Sequence, residues 1–371
     1  MKSEWKYKLA ELMKNLGKKL LLILLAMVVA SLFLLFSGYD ALAVFKGVWL
    51  GVTKDFSGTI RWMTPLLFTS ISVCLSQRAN LFNLGVDGQL YFGACAASFV
   101  ALRLTGLPPL LIILAAMFAG MFFGLLYAAI PALLQIYLGA YEVVTTLLMN
   151  FVAVQFTEWL VLGPLKPQEV TGTTATANFA KELWLPRILT PSQANIGLFI
   201  ALFVAVLLAF VMYRSVFGHE VKIVGANSRF AKYSGVNVVR VTLCTMLISG
   251  AVAGLAGTVE VLGSLHRLPT GFNQDLGFNG IVVSLLAQNN PIGCILASFF
   301  FAALKNGASN MERISDVPAA VSDIVQALVI LTVTVTVVAP KLKTYISNRK
   351  ALRETLAEER HSIKQGGVSH E

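Results

Sequence analysis

Long apolar runs separated by short polar stretches recur along most of this chain. A bilayer core takes about 20 apolar residues per helix, with a range of roughly 17–25. On that length the pattern predicts ten helices, at about 20–37, 60–77, 86–103, 109–137, 142–162, 195–213, 240–263, 276–289, 291–308 and 320–339. The eighth is short and the fourth is long. Pro65, Pro109, Pro131, Pro291 and Pro340 fall at or near starts, ends or bends of these runs.

One interruption stands apart from the connecting loops. Residues 81–89 read LFNLGVDGQ, and the polar character extends back to Arg78. Lipid offers no partner to a free backbone N–H or C=O, so an irregular polar segment at membrane depth survives only inside protein or along a watery path. The segment reads either as an interfacial turn, with Asp87 favoured by the dipole at the start of the next helix, or as part of a route through the membrane. A second irregular stretch, GSLHRLPTGFNQDLGFNG at 263–280, follows the seventh helix. With the second helix running inward and the seventh outward, two such joints on opposite faces suggest an inverted repeat.

Composition makes the setting plain. The 371 residues are 56% hydrophobic and 13% charged, with a mean hydropathy of +0.74; a soluble chain runs nearer ~45–50% and ~25%. The fold class expected is an all-α integral membrane protein. A net charge of +10 would otherwise suggest nucleic acid, but the cations are distributed by topology. Six lysines precede the first apolar run, one arginine is Arg78, five Lys/Arg lie between Arg214 and Arg240, and seven follow Pro340, together 19 of 29. That bias puts both ends in the cytoplasm and favours an even number of spans. The chain therefore divides into a basic arm (1–19), a transmembrane domain (20–339) and a cytoplasmic tail (340–371), and the first run reads as a retained span rather than a removed signal peptide.

Chemistry is sparse. Cys74, Cys95, Cys244 and Cys294 stand singly inside apolar runs, and His219, His266, His361 and His370 are scattered, so neither a disulfide frame, a metal site nor a cofactor is expected. There is no G-x-x-x-x-G-K-[ST], H-E-x-x-H or G-x-S-x-G. A chain that moves cargo uphill without these must draw on an ion gradient or on a separate ATPase. The candidate polar groups sit within the spans. Glu142, Thr146 and Asn150 recur every fourth residue as one stripe, and either face the bundle interior or divide into an interfacial cap (Glu142) and a back-bonded hydroxyl (Thr146). Gly250, Gly254 and Gly257 allow a close helix approach. Glu260 either pairs with His266 or Arg267 or lines a path, and Glu158 reaches for the interface.

The inner loop 214–239 is the longest cytoplasmic connection between spans. Asn227 or Ser228 can cap a short helix over roughly Arg229–Ser234, and Gly235 can end it in a left-handed turn. The loop is either a solvated topology signal or a docking helix for a cytoplasmic partner.

Five stretches, RANLFNLGVDGQLYFGA (78–94), YLGAYEVVTTLLMNFVA (137–153), VGANSRFAKYSGVNVVR (224–240), SGAVAGLAGTVEVLG (249–263) and GFNGIVVSLLAQNNPIGCILASFFFAALKNGA (277–308), resemble the membrane subunits of bacterial ABC importers. The group is that of the branched-chain amino acid, simple sugar and nucleoside permeases, and nucleoside-type permeases fit best. The resemblance implies a translocation path near Asn83, Asp87, Gln89, Glu142, Thr146, Asn150, Glu260 and Asn279. It implies a coupling element at Gly225, Asn227, Ala231 and Tyr233, resting on an ATP-binding subunit. It further implies a second permease chain, a substrate-binding lipoprotein at the outer face and a bacterial plasma membrane. FNLGVDGQ departs from the Asp-Leu-Ser-rich motif of sugar-type relatives, while LLAQNNP departs from the nucleoside pattern. Sugars or flavin-like rings remain alternative cargoes, and an ion-coupled transporter using Glu142 or Glu260, or a non-transporting scaffold, the alternatives in class.

Overall fold

A computed structural model describes residues 53–167, 174–189, 192–272 and 275–314, together with isolated positions elsewhere. The expected spans at 20–37 and 320–339, the basic arm and the tail lie outside the described residues. One compact unit covers residues 43–322; the other, 1–42 with 323–371, is described only at isolated helical positions such as Leu32 and Ile324.

Within the larger unit the helices run α1 (Phe56–Arg78), α2 (Val86–Arg103), α3 (Pro109–Leu138), α4 (Glu142–Leu162), α5 (Gly197–Arg214), α6 (Val216–Ala226), α7 (Ser228–Tyr233), α8 (Val238–Glu260), α9 (Leu276–Leu286) and α10 (Pro291–Ile314). A π-turn, Val261–Leu265, extends α8. The connection between α4 and α5 holds a 3-10 turn and a two-stranded antiparallel sheet, β1 (Arg187–Leu189) with β2 (Ala194–Asn195). The unit is thus predominantly helical, with one small β-hairpin.

Five helices among the described residues are long and apolar enough to cross a membrane: α3, α4, α5, α8 with its π-turn, and α10 over Pro291–Asn310. Helices α1 and α2 are long but more polar, and they are the buried ones. In α1, Thr64, Thr69, Ser70, Ser72 and Ser76 are buried beside Leu66, Phe68, Ile71 and Leu75. Thr64, Thr69, Ser70 and Ser76 return their hydroxyl protons to carbonyls three or four residues back, which lets a polar residue sit in an apolar surround. Around this pair, α8 packs on α1, α2 and α3, and α9 and α10 close over α1.

The contact among α2, α3 and α8 is made by backbone. A Cβ on Gly254 would collide with the Gly120 carbonyl, and one on Gly93 with Gly254 itself. Small residues at such a crossing let helices approach where no hydrophobic drive separates lipid from protein. The glycine face expected on 250–257 therefore has the packing role that its spacing suggested.

The two ends of the unit are distinct. At one, Gly225 at the end of α6 lies against the Arg78 carbonyl, and Arg78 Nε donates to Asn289 O at 2.6 Å. At the other, Phe179 N–H donates to His266 O at 2.8 Å, Leu185 N–H to Leu262 O at 3.2 Å, and Ser192 Oγ to Ser57 O at 2.9 Å.

Candidate functional site

The joint between α1 and α2 cannot satisfy its own backbone. α1 closes through Leu81 N–H on Ser76 O at 3.0 Å, with Asn80 in the left-handed region at φ 59°. The next residues then depend on helix α4. Phe82 N–H donates to Glu142 Oε1 at 2.7 Å, Leu84 N–H to Thr146 Oγ1 at 3.2 Å, and Gly88 N–H to Asn150 Oδ1 at 2.8 Å. Asn150 Nδ2 donates in turn to Leu84 O at 2.8 Å. The four-residue spacing of the stripe is thus matched, partner for partner, to the polar groups of the joint. Helix α2 has no side-chain cap of its own at Gly85, so Asn150 caps it from across the bundle.

Both readings of the stripe contain part of this arrangement. Thr146 does bond back to Glu142 O, at 2.7 Å, while its oxygen accepts from Leu84. Glu142 does act as a cap, but of the joint, with Gln135 Nε2 as a second donor. Behind them Asn83 and Gln89 exchange two amide bonds at 3.2 Å, and Asn83 Nδ2 also reaches Ser249 Oγ at 3.0 Å. Ser249 and Ser72 exchange hydroxyl-to-carbonyl bonds at 2.9 and 2.8 Å, tying α8 to α1. Asn83, Gln89 and Ser249 are buried. The residues sequence reasoning missed here are Ser72, Ser249 and Gln135; a serine in an apolar run carries no local signal.

Asp87 links this joint to the second one. Its Oδ1 accepts the Gly277 N–H at 2.7 Å, and a Cβ on Gly277 would stand 2.7 Å from that oxygen. Asp87 lies in the first turn of α2 and Gly277 in the first turn of α9, so one carboxylate lies between two helix N-termini, where a negative charge is favoured. Helix α9 has 11 residues, roughly 16 Å at 1.5 Å per residue, about half a ~30 Å hydrocarbon core. It ends in the turn beside Arg78, so its start lies in the interior. Asn279 is half-buried on this helix's first turn, and its side chain has no protein partner among the described residues.

Glu260 is paired, but not with either of the neighbours expected. Its partner is Arg61 on α1, at 2.5 Å, with side-chain exposures of 3% and 15%. Neither His266 nor Arg267 is in the pair; both follow the π-turn Val261–Leu265. Arg61 Cζ lies 3.9 Å from the Trp62 ring centre, and Lys305 Nζ 4.4 Å from the same ring. Arg267 is exposed, and the His266 ring stacks on Trp184 at 3.8 Å. Burial holds the His266 imidazole below its usual pKa, against the Leu262 carbonyl that would raise it.

The 214–239 loop forms the expected helix, over Ser228–Tyr233. Asn227 Oδ1 accepts from Arg229 and Phe230 N–H at 3.0 Å each, and Gly235 closes α7 at φ 83°. Its residues face two ways. Ala231 is fully buried among Val221, Val224 and Val241, and Gly225 lies against α1. Tyr233 is 93% exposed and Phe230 61%. Phe230, an outward aromatic that the motif did not single out, stands beside Tyr233 on the free surface.

Interrupted helices meeting in the interior of a polytopic bundle are an architecture that membrane transporters use for their binding sites. The profile of the branched-chain amino acid transport system permease component matches residues 56–334, and the chain belongs to that family as a transport permease subunit. It is 35% identical to the guanosine ABC transporter permease NupP of Bacillus subtilis over 84% of this chain and 91% of that one. It is 30% identical to the nucleoside ABC transporter permease NupB of Lactococcus lactis over 89% and 96%. A glucose ABC transporter permease of Haloferax volcanii is 37% identical over 72% of each chain. Bacillus subtilis and Lactococcus lactis each supply a second, more distant permease with the same cargo in its name.

Proposed function

We propose that this chain is the translocation subunit of an ATP-driven nucleoside importer, spanning a bacterial plasma membrane ten times with both ends inside. The observation that carries the cargo is the match, over most of both chains, to permeases named for guanosine and nucleosides. The glucose-named relative, similar over a shorter share, makes a sugar the second reading. An ATP-binding subunit docks at the 214–239 loop, and a lipoprotein delivers cargo at the outer face. The second permease is a different chain, as the paired relatives suggest.

In this reading the path runs past the meeting point of α2 and α9. Asp87 and Asn279 stand closest to it, while Asn83, Gln89, Glu142, Thr146, Asn150 and Glu260 hold its walls in shape. ATP-driven closure of the partner subunits shifts the equilibrium between inward and outward openings. Gly225, Asn227 and Ala231 set the angle of α7, and Tyr233 with Phe230 forms the contact.

Reconstitution with the partner subunits in vesicles is the test. ATP-dependent uptake of guanosine is expected, and the double variant Phe230→Ala/Tyr233→Ala should lower coupled uptake at least tenfold, since central aromatic anchors cost about 2 kcal/mol or more each. Uptake by this chain alone, driven by a proton or sodium gradient, would replace this reading with the ion-coupled one.

A further inference from the structure

A cleft of about 360 Å3 opens at the elbow between α5 and α6, lined by Arg78, Tyr213, Ser215, Gly218, His219 and Lys222 among others. That volume lies within the ~300–1,000 Å3 of small-molecule sites. Two permanent cations and a histidine line the cleft without any carboxylate; Glu220, on the same helix, is half-buried and not among the lining groups. Arg78 is held for the purpose. Its Nε donates to Asn289 O at 2.6 Å and its Nη2 to Tyr213 Oη at 2.8 Å, leaving Nη1 without a protein partner among the described residues. The helix end adds little, because Ser215 Oγ already accepts the Gly218 N–H at 3.1 Å.

What lies above the cleft indicates its occupant. Phe199, Phe203, Val206 and Phe210 form an exposed apolar stripe down α5, ending at Tyr213 on the cleft rim. A cationic cleft at the foot of an apolar stripe matches an anionic amphiphile. We propose that this site holds the phosphate of an anionic phospholipid, its acyl chains lying along the α5 stripe. The inference rests on the inner-face assignment of the 214–239 loop made above. Because Gly225 sits on the carbonyl of Arg78, a headgroup on Arg78 and Lys222 ties the end of α1 to the helix that leads into α7. Lipid composition then bears on coupling.

The test uses the full chain in detergent micelles with spin-labelled phosphatidylglycerol and spin-labelled phosphatidylcholine. Phosphatidylglycerol should be immobilised preferentially, and Lys222→Gln and Arg78→Gln should each weaken that preference about fivefold, as one cation at an anionic surface is worth about 1 kcal/mol. Lys222 is exposed, so its variant leaves the fold intact and reads the charge alone. Equal binding of the two lipids, or no change in Lys222→Gln, overturns the proposal. Displacement by excess inorganic phosphate, but not by chloride of the same ionic strength, would mean a free-anion site and overturn the lipid assignment. Thiol labelling of Tyr233→Cys in whole cells checks the inner-face reading separately: reaction from the outside would remove that reading, while the micelle result does not depend on orientation.

Discussion

Asn150→Leu is expected to impair transport severely while leaving a protein that still inserts. Leucine matches asparagine in size, so the packing of α4 on α2 survives. What is lost is the only described partner of the Gly88 N–H and of the Leu84 carbonyl, at 2.8 Å each. A buried polar group left unsatisfied costs about 1–3 kcal/mol, so the joint loses about 2–6 kcal/mol and water or another conformation must supply the missing bonds. Uptake should fall by more than tenfold, and the thermal midpoint of the purified subunit should drop. Phe151→Leu, one residue away and 64% exposed, serves as the control and should change neither. Equal activity of Asn150→Leu and Phe151→Leu would remove the claim that α4 braces the joint.

The second large effect belongs to the pair Arg61–Glu260. Glu260→Leu leaves a guanidinium at low exposure between α1 and α8, stacked on Trp62 and without a charged partner among the described residues. Removing one partner of a buried ion pair costs about 3–5 kcal/mol, much of it the penalty of the charge left behind. The double variant Arg61→Met/Glu260→Leu removes that charge and should be more stable than Glu260→Leu alone. Thermal unfolding of the three variants, read as a double-mutant cycle, measures the coupling. Additive losses would mean that the two side chains do not depend on each other.

Much of the fold was legible because lipid makes it so. A span must be apolar and of a set length, and α4 and α5 occupy, to within two residues, the positions that rule assigned to them. Short-range chemistry was legible too: Asn227 and Gly235 mark the ends of α7 by capping and by left-handed geometry, each visible within a few residues. Helix α9 stops at Leu286, short of the expected end, because Gln288 and Asn289 turn the chain at positive φ. Long-range pairing was not legible. Glu260 has neighbours in sequence at His266 and Arg267, yet its partner is 199 residues away; Asp87 and Gly277 are separated by 190. The spacing of Glu142, Thr146 and Asn150 announced a common face, but not that the face would be spent on the backbone of 82–88. Nor did the coupling motif reveal that Ala231 faces inward and Phe230 outward.

A cysteine at Asn279 tests the central claim most directly. The side chain is half-buried at the start of α9, two residues from the Asp87–Gly277 contact, and has no protein partner among the described residues. In a background free of Cys74, Cys95, Cys244 and Cys294, the reconstituted complex is treated with a small water-soluble thiol reagent, with and without ATP and guanosine. The expected result is labelling that changes with ATP and is slowed by guanosine, as a position on an alternating-access path requires. A thiol that stays unreactive in every state, or reacts alike in all of them, would contradict a path between the ends of α2 and α9.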